Sequence, residues 1–443
     1  MNTLLPPLPS AKADGKTGKV PARRTAPGLD CALFSRKKLL AALFLFANCP
    51  LLTAHCFAQA DVQKRIQKQL ILAENGSTVQ LDEGRFTFTG SLSLEDKKAV
   101  VIRGAGVDKT ILSFKGQTDG AEGLRVSNAE NIVIENLTIQ DSKGDGLKTM
   151  NVKGITFRNV KVEWTGKPGP GNGSYGLYPV QCQDVLIEGC TAIGASDAGI
   201  YVGQSRNIVV KNSTAHHNVA GIEIENSTDA EVFNNDAHDN TGGILVFDLP
   251  DLVQKRGGRV RVHDNRIREN NFPNFAPKGN IVAKVPQGTG VLILATNQVE
   301  IFNNQILNNQ TMGTGIISYF MTENPITDKD YYPYPTAISV HDNVYERRAE
   351  RPSMRGRLGK LFRFKLKFGK DVPHVLYDGI VDPATRDASG QIRPDKRVCV
   401  RNNRNQTVAN LDAENDFKAV SRDSRSFDCS LEPLKIAKVS TTE

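Results

Sequence analysis

Between about residues 76 and 345 no stretch shows a sustained helical period of apolar residues. That removes the ordinary crossover helix from any parallel sheet the chain builds. The chain also lacks the Cys-x-x-Cys and His-x-Glu spacings of zinc sites, so no metal is assigned and a divalent ion has no support. Its N-terminal apolar run, Leu39 to Leu52, is too short for a comfortable membrane span. The formal charge of +8 is not general basicity, because ten of the 24 residues from Arg347 to Lys370 are Arg or Lys and the rest is close to neutral. Nucleic-acid affinity is therefore not implied.

What is present first is a targeting pattern. Arg36, Lys37 and Lys38 precede the apolar run, and Phe57-Ala58-Gln59-Ala60 suits a signal peptidase, with cleavage expected after Ala60. Residues 1–60 are thus read as leader, with residues 1–35 a candidate misplaced start, and the mature chain as periplasmic or extracellular. Cys49 and Cys56 raise a lipid anchor, which Asn48 and His55 fit poorly. Of the four later cysteines, Cys399 and Cys429 are the first pair to expect as a disulfide, and Cys190 reads as a buried thiol.

The body repeats. Gly-Leu or Gly-Ile phrases at 176, 199, 221 and 243 are spaced by 23, 22 and 22 residues, and each unit carries short apolar–polar alternating strands bounded by Gly, Asn, Asp and Ser. Three strands leave no room for a helix in 22 residues. A solenoid, in which each turn pairs with the next, satisfies every backbone ladder except at its ends. The expected fold is all-β: a single-stranded right-handed parallel β-helix over 76–345, a capping helix within 61–75, and a C-terminal extension over 346–443. Asn136, Asn159, Asn212, Asn234, Asp264, Asn303 and Asp342 share one register, which is read as a structural column at a sharp corner, its amides bonded up and down the stack. In the arm, Phe362, Phe364, Leu366 and Phe368 alternate with basic residues and predict a strand, either a solvated cap or a surface for acidic glycans or lipopolysaccharide phosphates at an outer membrane.

Alternation also fixes the outward side chains. On the glycine-initiated strands Ile200, Val202, Ile222, Ile224, Ile244 and Val246 point inward, so Lys148, Tyr178, Tyr201 and Glu223 form one outward column and Glu225 stands in the next. Rings and charges in a row suit a sugar polymer, although a solvated sheet face would look similar. Thr214-Ala215-His216-His217-Asn218 and Asp236-Ala237-His238-Asp239-Asn240 lie 22 residues apart, which stacks His216 on His238 and His217 on Asp239, with Asp197 brought to about the same corner. Imidazoles beside carboxylates are general acid–base material. The candidates are therefore His216, His217, His238, Asp239, Asp197 and Glu223 for catalysis, and Tyr178, Tyr201, Lys148 and Glu225 for substrate.

The Gly221-Ile222 to Asn235 and Val299 to Gln305 repeats resemble the β-helix domain of carbohydrate-binding proteins and sugar hydrolases, shared by pectate lyases and alginate epimerases. Residues 61–434 are most similar to a bacterial family of exported parallel β-helix repeat proteins, on Tyr175-Gly176-Leu177-Tyr178-Pro179-Val180, Asp197-Ala198-Gly199-Ile200-Tyr201-Val202-Gly203-Gln204-Ser205 and the segment from Cys399 through Asn402-Asn403 to Cys429. That resemblance implies the fold and leaves the chemistry open. Mannuronan epimerases carry Asp and His where this chain has Tyr178 and Val180, which argues against standard epimerase chemistry. By analogy of fold the expected partner is a polysaccharide of acidic character, acted on by a monomer as lyase, hydrolase or epimerase. The other reading is a non-catalytic binding or scaffold protein for acidic glycans or metal.

Overall fold

The computed structural model describes residues 50–353 and 360–439, so the leader up to Cys49 and residues 354–359 of the basic arm lie outside the described residues. One coil shows how the repeat folds. Arg206–Lys211, Thr214–His216 and Ala220–Glu225 are three strands separated by corners two or three residues long. Each pairs in parallel with its counterpart one coil on: Ile208 with Ala230, Ala215 with Ala237, Ile222 with Ile244. The glycine-initiated strands make an eleven-stranded parallel sheet. Inward residues Ile200, Val202, Ile222, Ile224, Ile244 and Val246 are all buried in one continuous core, with Cys182 and Cys190 as free buried thiols.

The corner register behaves in two parts. Asn136, Asn159, Asn212, Asn234, Asp264, Asn303 and Asp342 all have φ between 50° and 58°, the left-handed conformation that Asn and Asp tolerate. Most are exposed, and only Asn159 is bonded to its neighbour Asn136, at 2.7 Å. The amide ladder expected there sits one residue later. Asn235, Asn265, Asn304, Asn343 and Asn403 are buried, each Nδ2 donating to the next Oδ1 at 2.8–3.0 Å. A second ladder runs through Asn218, Asn240, Asn270 and Asn309. The left-handed residue swings the chain so that its successor points inward, and only there do amides lack competition from water.

Both ends are closed. Helix α1 (Pro50–Leu72) buries Ile66 and Leu70 against the first coil. Its Gln63 accepts from Thr89 N at 2.9 Å, and Gln67 both accepts from Ser93 N and donates to Ser93 O, so two side chains take the place of a missing neighbouring strand. At the other end the stack does not stop at 345. Val375–Tyr377 and Val408–Asn410 continue the eleven-stranded sheet, Val398–Arg401 pairs with Thr336–His341, and the boundary expected there falls inside the solenoid. Cys399 on that last coil is disulfide-bonded to Cys429.

The arm is not the strand its period-two pattern predicts. Phe362–Leu366 is a helical turn ended by Lys367 at φ 50°. Phe362 and Leu366, four apart, bury themselves over the sheet, whereas Phe364 is 62% exposed. Tertiary burial selected the period, overriding local alternation. Arg348 pairs with Glu269 and Lys365 with Asp416, so two of the arm's cations face protein carboxylates.

Candidate functional site

The outer face of the glycine-initiated sheet is graded from end to end. One column reads Ser93, Arg125, Lys148, Tyr178, and then Tyr201, Glu223, Leu245, Leu292; the next holds Gly203, Glu225, Phe247 and Leu294. From Leu245 onward the face is apolar and roofed. Leu245, Phe247, Leu292 and Leu294 form a second hydrophobic cluster with Val282, Val285, Tyr319, Phe362 and Leu366, all brought by insertions between strands. A cavity of about 70 Å³ under this roof is apolar and holds none of the acids described next. The face is therefore neither a bare groove nor a flat solvated sheet. Tyr201, Glu223 and Glu225 are only 4%, 1% and 7% exposed, while Tyr175, Tyr178 and Lys148 form the half-open end.

One acid–tyrosine pair and one acid–amide pair organise the buried part. Tyr201 Oη donates to Glu225 Oε1 at 2.6 Å. Tyr201 leans across Gly203 to reach it; a Cβ at 203 would come within 2.2 Å of the phenol oxygen, so glycine is required there. Asp197, 5% exposed, accepts from Asn280 Nδ2 at 3.0 Å. The Tyr175 ring lies 4.4 Å from both Tyr178 and Tyr201. Neither oxygen of Glu223 has a hydrogen-bond partner. Lys148 Nζ sits 4.8 Å from the Tyr178 ring centre, and 3.7 and 3.5 Å from Glu122 and Asp145.

Burial dominates the electrostatics. Desolvation, then the charge of Glu225, holds Asp197 well above the usual carboxylate range. Desolvation raises Glu225 despite the Tyr201 hydrogen bond, and desolvation with Asp197 and Glu225 raises Glu223. Asp145 is pushed up to about 6 and Asp248 to about 7 by burial. Burial and the neighbouring carboxylates push Tyr175 and Tyr201 well up, so both phenols stay protonated. The arrangement supplies carboxylic acids poised to give and take protons near neutral pH.

The imidazole corner forms elsewhere. His216 stacks on His238 with centroids 5.0 Å apart and planes 11° from parallel, its Nδ1 lies 2.8 Å from His217 Nδ1, and His238 Nδ1 lies 2.8 Å from Asp239 Oδ2. His217 and Asp239 occupy left-handed corners, and His217 packs edge-on to Phe272. Burial, reinforced by His238 and His217, pulls His216 down to about 4. Asp197 does not join this group, because it starts a glycine-initiated strand and faces Tyr175 and Asn280. Among the described residues no group of three or more His, Cys, Asp or Glu side chains is placed to hold a metal ion.

Sequence reasoning missed Tyr175, Asp145, Asn280 and Asp248. Asp145 and Tyr175 had a usable signal, since both immediately precede strand-initiating glycines, but Asn280 lies in an aperiodic insertion. It also missed a ring stack on the other, nineteen-stranded parallel sheet: Phe233, His263, Phe302 and His341, with centroids 4.7–5.3 Å apart. His263 bridges Glu231 and Asp264, and His341 bridges Glu300 and Asp342.

These groups predict a pH dependence. Asp197, Glu223, Glu225 and Asp248 have folded-state pKa values above their unfolded ones, so their stabilisation is complete below about pH 4 and is lost as pH rises toward 7. At His263 burial pulls the imidazole down, but hydrogen bonds to Glu231 and Asp264 outweigh it; at His341 the bond to Glu300 leads. Both end raised, and their contribution is lost as pH climbs past about 6.5. His216 and His374, both lowered to about 4 by burial, act in the opposite sense, losing their contribution as pH falls from about 6.5 toward 4. The acids outnumber them, so the Tm should fall by several degrees between pH 5.5 and 8 in scanning calorimetry. A Tm that rises across that window would show that the acids are not buried in protonated form.

Stack, closed ends and inward ladders define a parallel β-helix, and sequence comparison agrees. A family model described as a right handed beta helix region matches residues 98–251 and 151–329, just over half of the chain taken together, and the chain belongs to that family. Depolymerase 1, capsule KN3-specific, of Klebsiella phage KN3-1 is 27% identical over 218 residues, which cover 44% of this chain and 26% of that relative. The chain thus spans about a quarter of the relative's length. Among solved structures, the A-module of the Azotobacter vinelandii mannuronan C-5 epimerase AlgE4 is 15% identical with a TM-score of 0.48, covering 80% of this chain and 91% of its own. PfbA, a surface adhesin of Streptococcus pneumoniae, is 11% identical with a TM-score of 0.47, covering 72% and 79%.

Proposed function

We propose that this protein acts on a polysaccharide outside the cytoplasm, at the outer face of its glycine-initiated sheet, with Asp197 and Glu225 as the acid–base pair. The observation that carries the reading is that pair itself: two buried, protonation-prone carboxyls, Glu225 held by Tyr201 and Asp197 by Asn280, beside a half-open aromatic end of the sheet face. Cleaving a glycosidic bond needs one carboxyl that gives a proton and one that takes it. Tyr178 and Lys148 would meet the polymer at the open end, and Tyr201 would fix Glu225. Glu223, raised by burial and by Asp197 and Glu225, would stay protonated beside them. The similarity to a phage depolymerase named as capsule-specific supports a polysaccharide. The leader pattern and the Cys399–Cys429 disulfide support an oxidising compartment.

The test is incubation of the leader-free protein with a panel of soluble capsular and other polysaccharides, following reducing ends, unsaturated uronates and uronate stereochemistry. Turnover of at least one polymer is expected. Binding without turnover across the panel would replace the enzyme with the non-catalytic binding reading.

A further inference from the structure

We infer that the sugar held at this face carries no carboxylate and that the reaction there is hydrolysis of its glycosidic bond, a deepening that rests on the polysaccharide reading above. The first ground is the charge inventory. Asp197, Glu223 and Glu225 make no ion pair; their hydrogen-bond partners are Asn280, none, and Tyr201. Lys148, at the open end, is already flanked by Glu122 and Asp145. Farther along, Lys255 is paired with Asp328. A uronate placed here would add one more carboxylate to a water-poor cluster of acids that makes no ion pair, where like charges repel strongly.

The second ground is the chemistry uronates undergo. Elimination or epimerisation removes the proton next to the sugar carboxylate, and the charge that develops on that carboxylate needs cations or aimed donors. It also needs a base stronger than a half-protonated carboxyl, and Tyr175 and Tyr201 remain phenols. Hydrolysis needs neither. Glu225 passes its proton to the glycosidic oxygen as the bond from that oxygen to the anomeric carbon breaks. A water oxygen bonds to the anomeric carbon while Asp197 takes the proton that water gives up. One water is consumed, and solvent returns the proton from Asp197 to Glu225.

The third ground is Glu223. A fully buried carboxyl with two unpartnered oxygens is costly. It lies between Tyr201 and Leu245 in the outward column, beside Glu225. The hydroxyl or ammonium donors of a neutral or amino sugar would satisfy those oxygens.

The experiment pairs uronate polymers (alginate, pectate, hyaluronate) with their carboxyl-reduced forms, alongside dextran, galactan and chitosan, each in heavy-oxygen water. Carboxyl-free polymers are expected to yield reducing ends at least tenfold faster than uronate polymers, with label in the new anomeric hydroxyl and no unsaturated product. Unsaturated uronates, or turnover confined to unreduced uronate polymers, would overturn this inference and leave the polysaccharide reading standing. No turnover on any polymer would overturn that reading and this inference with it.

Discussion

Glu225→Gln and Asp197→Asn should each lower turnover by about 10²–10⁴-fold, the usual contribution of a positioned acid or base. Both replacements keep volume and hydrogen-bonding reach. A glutamine at 225 still offers Oε1 to the Tyr201 hydroxyl, and an asparagine at 197 still offers Oδ1 to Asn280 Nδ2. Because both carboxyls favour the protonated form in the folded state, a neutral amide costs the fold little and should raise the Tm slightly at pH 8. The pair acts as a unit, so the double variant should be little worse than the poorer single one. Initial rates on a turned-over polymer, with melting curves beside them, check this. Full activity in Glu225→Gln would move the chemistry off this face, and the His216–His238 corner would be the next place to look.

The imidazole corner shows how far register alone carries. Two pentapeptides 22 residues apart placed His216 on His238 and Asn218 on Asn240, and both stacks exist. Register within one strand column is a one-dimensional property, readable once the period is known. Asp197 failed because it belongs to the next strand, past a corner, and a turn of one residue decides which side of the wall a side chain meets. The same ambiguity shifted the ladder: Asn234-Asn235, Asn303-Asn304 and Asp342-Asn343 are pairs, and composition cannot say which member takes the left-handed corner. What covers the sheet was least legible. Asn280, Tyr319 and Phe362 sit on insertions without period, and their placement depends on contacts with coils far away in sequence. The same covering turned Tyr201 and Glu223 from a solvated wall into a buried acid site.

Asn304→Ala should destabilise the protein by about 3–6 kcal/mol, from several buried groups left unpaired at roughly 1–3 kcal/mol each. Asn304 Oδ1 accepts from both the backbone N and Nδ2 of Asn265, at 3.0 Å each. Its Nδ2 donates to Val262 O, Phe302 O and Asn343 Oδ1 at 2.8–2.9 Å. Truncation strands two donors on one coil and removes a donor from the next, in a core with no solvent to replace them. A solenoid coil touches only its neighbours, so the loss cannot be shared along the stack, and unfolding should begin at this rung. The neighbouring Asn303→Ala is the control. That residue is exposed at φ 54°, so the change costs only the strain of a left-handed alanine, about 1 kcal/mol, and Asn303→Gly should be close to neutral. Urea unfolding followed by circular dichroism separates the two positions. If Asn303→Ala proved the more damaging, the ladder would belong to the corner register after all, and the inward amides would be packing rather than the bonds that hold one coil to the next.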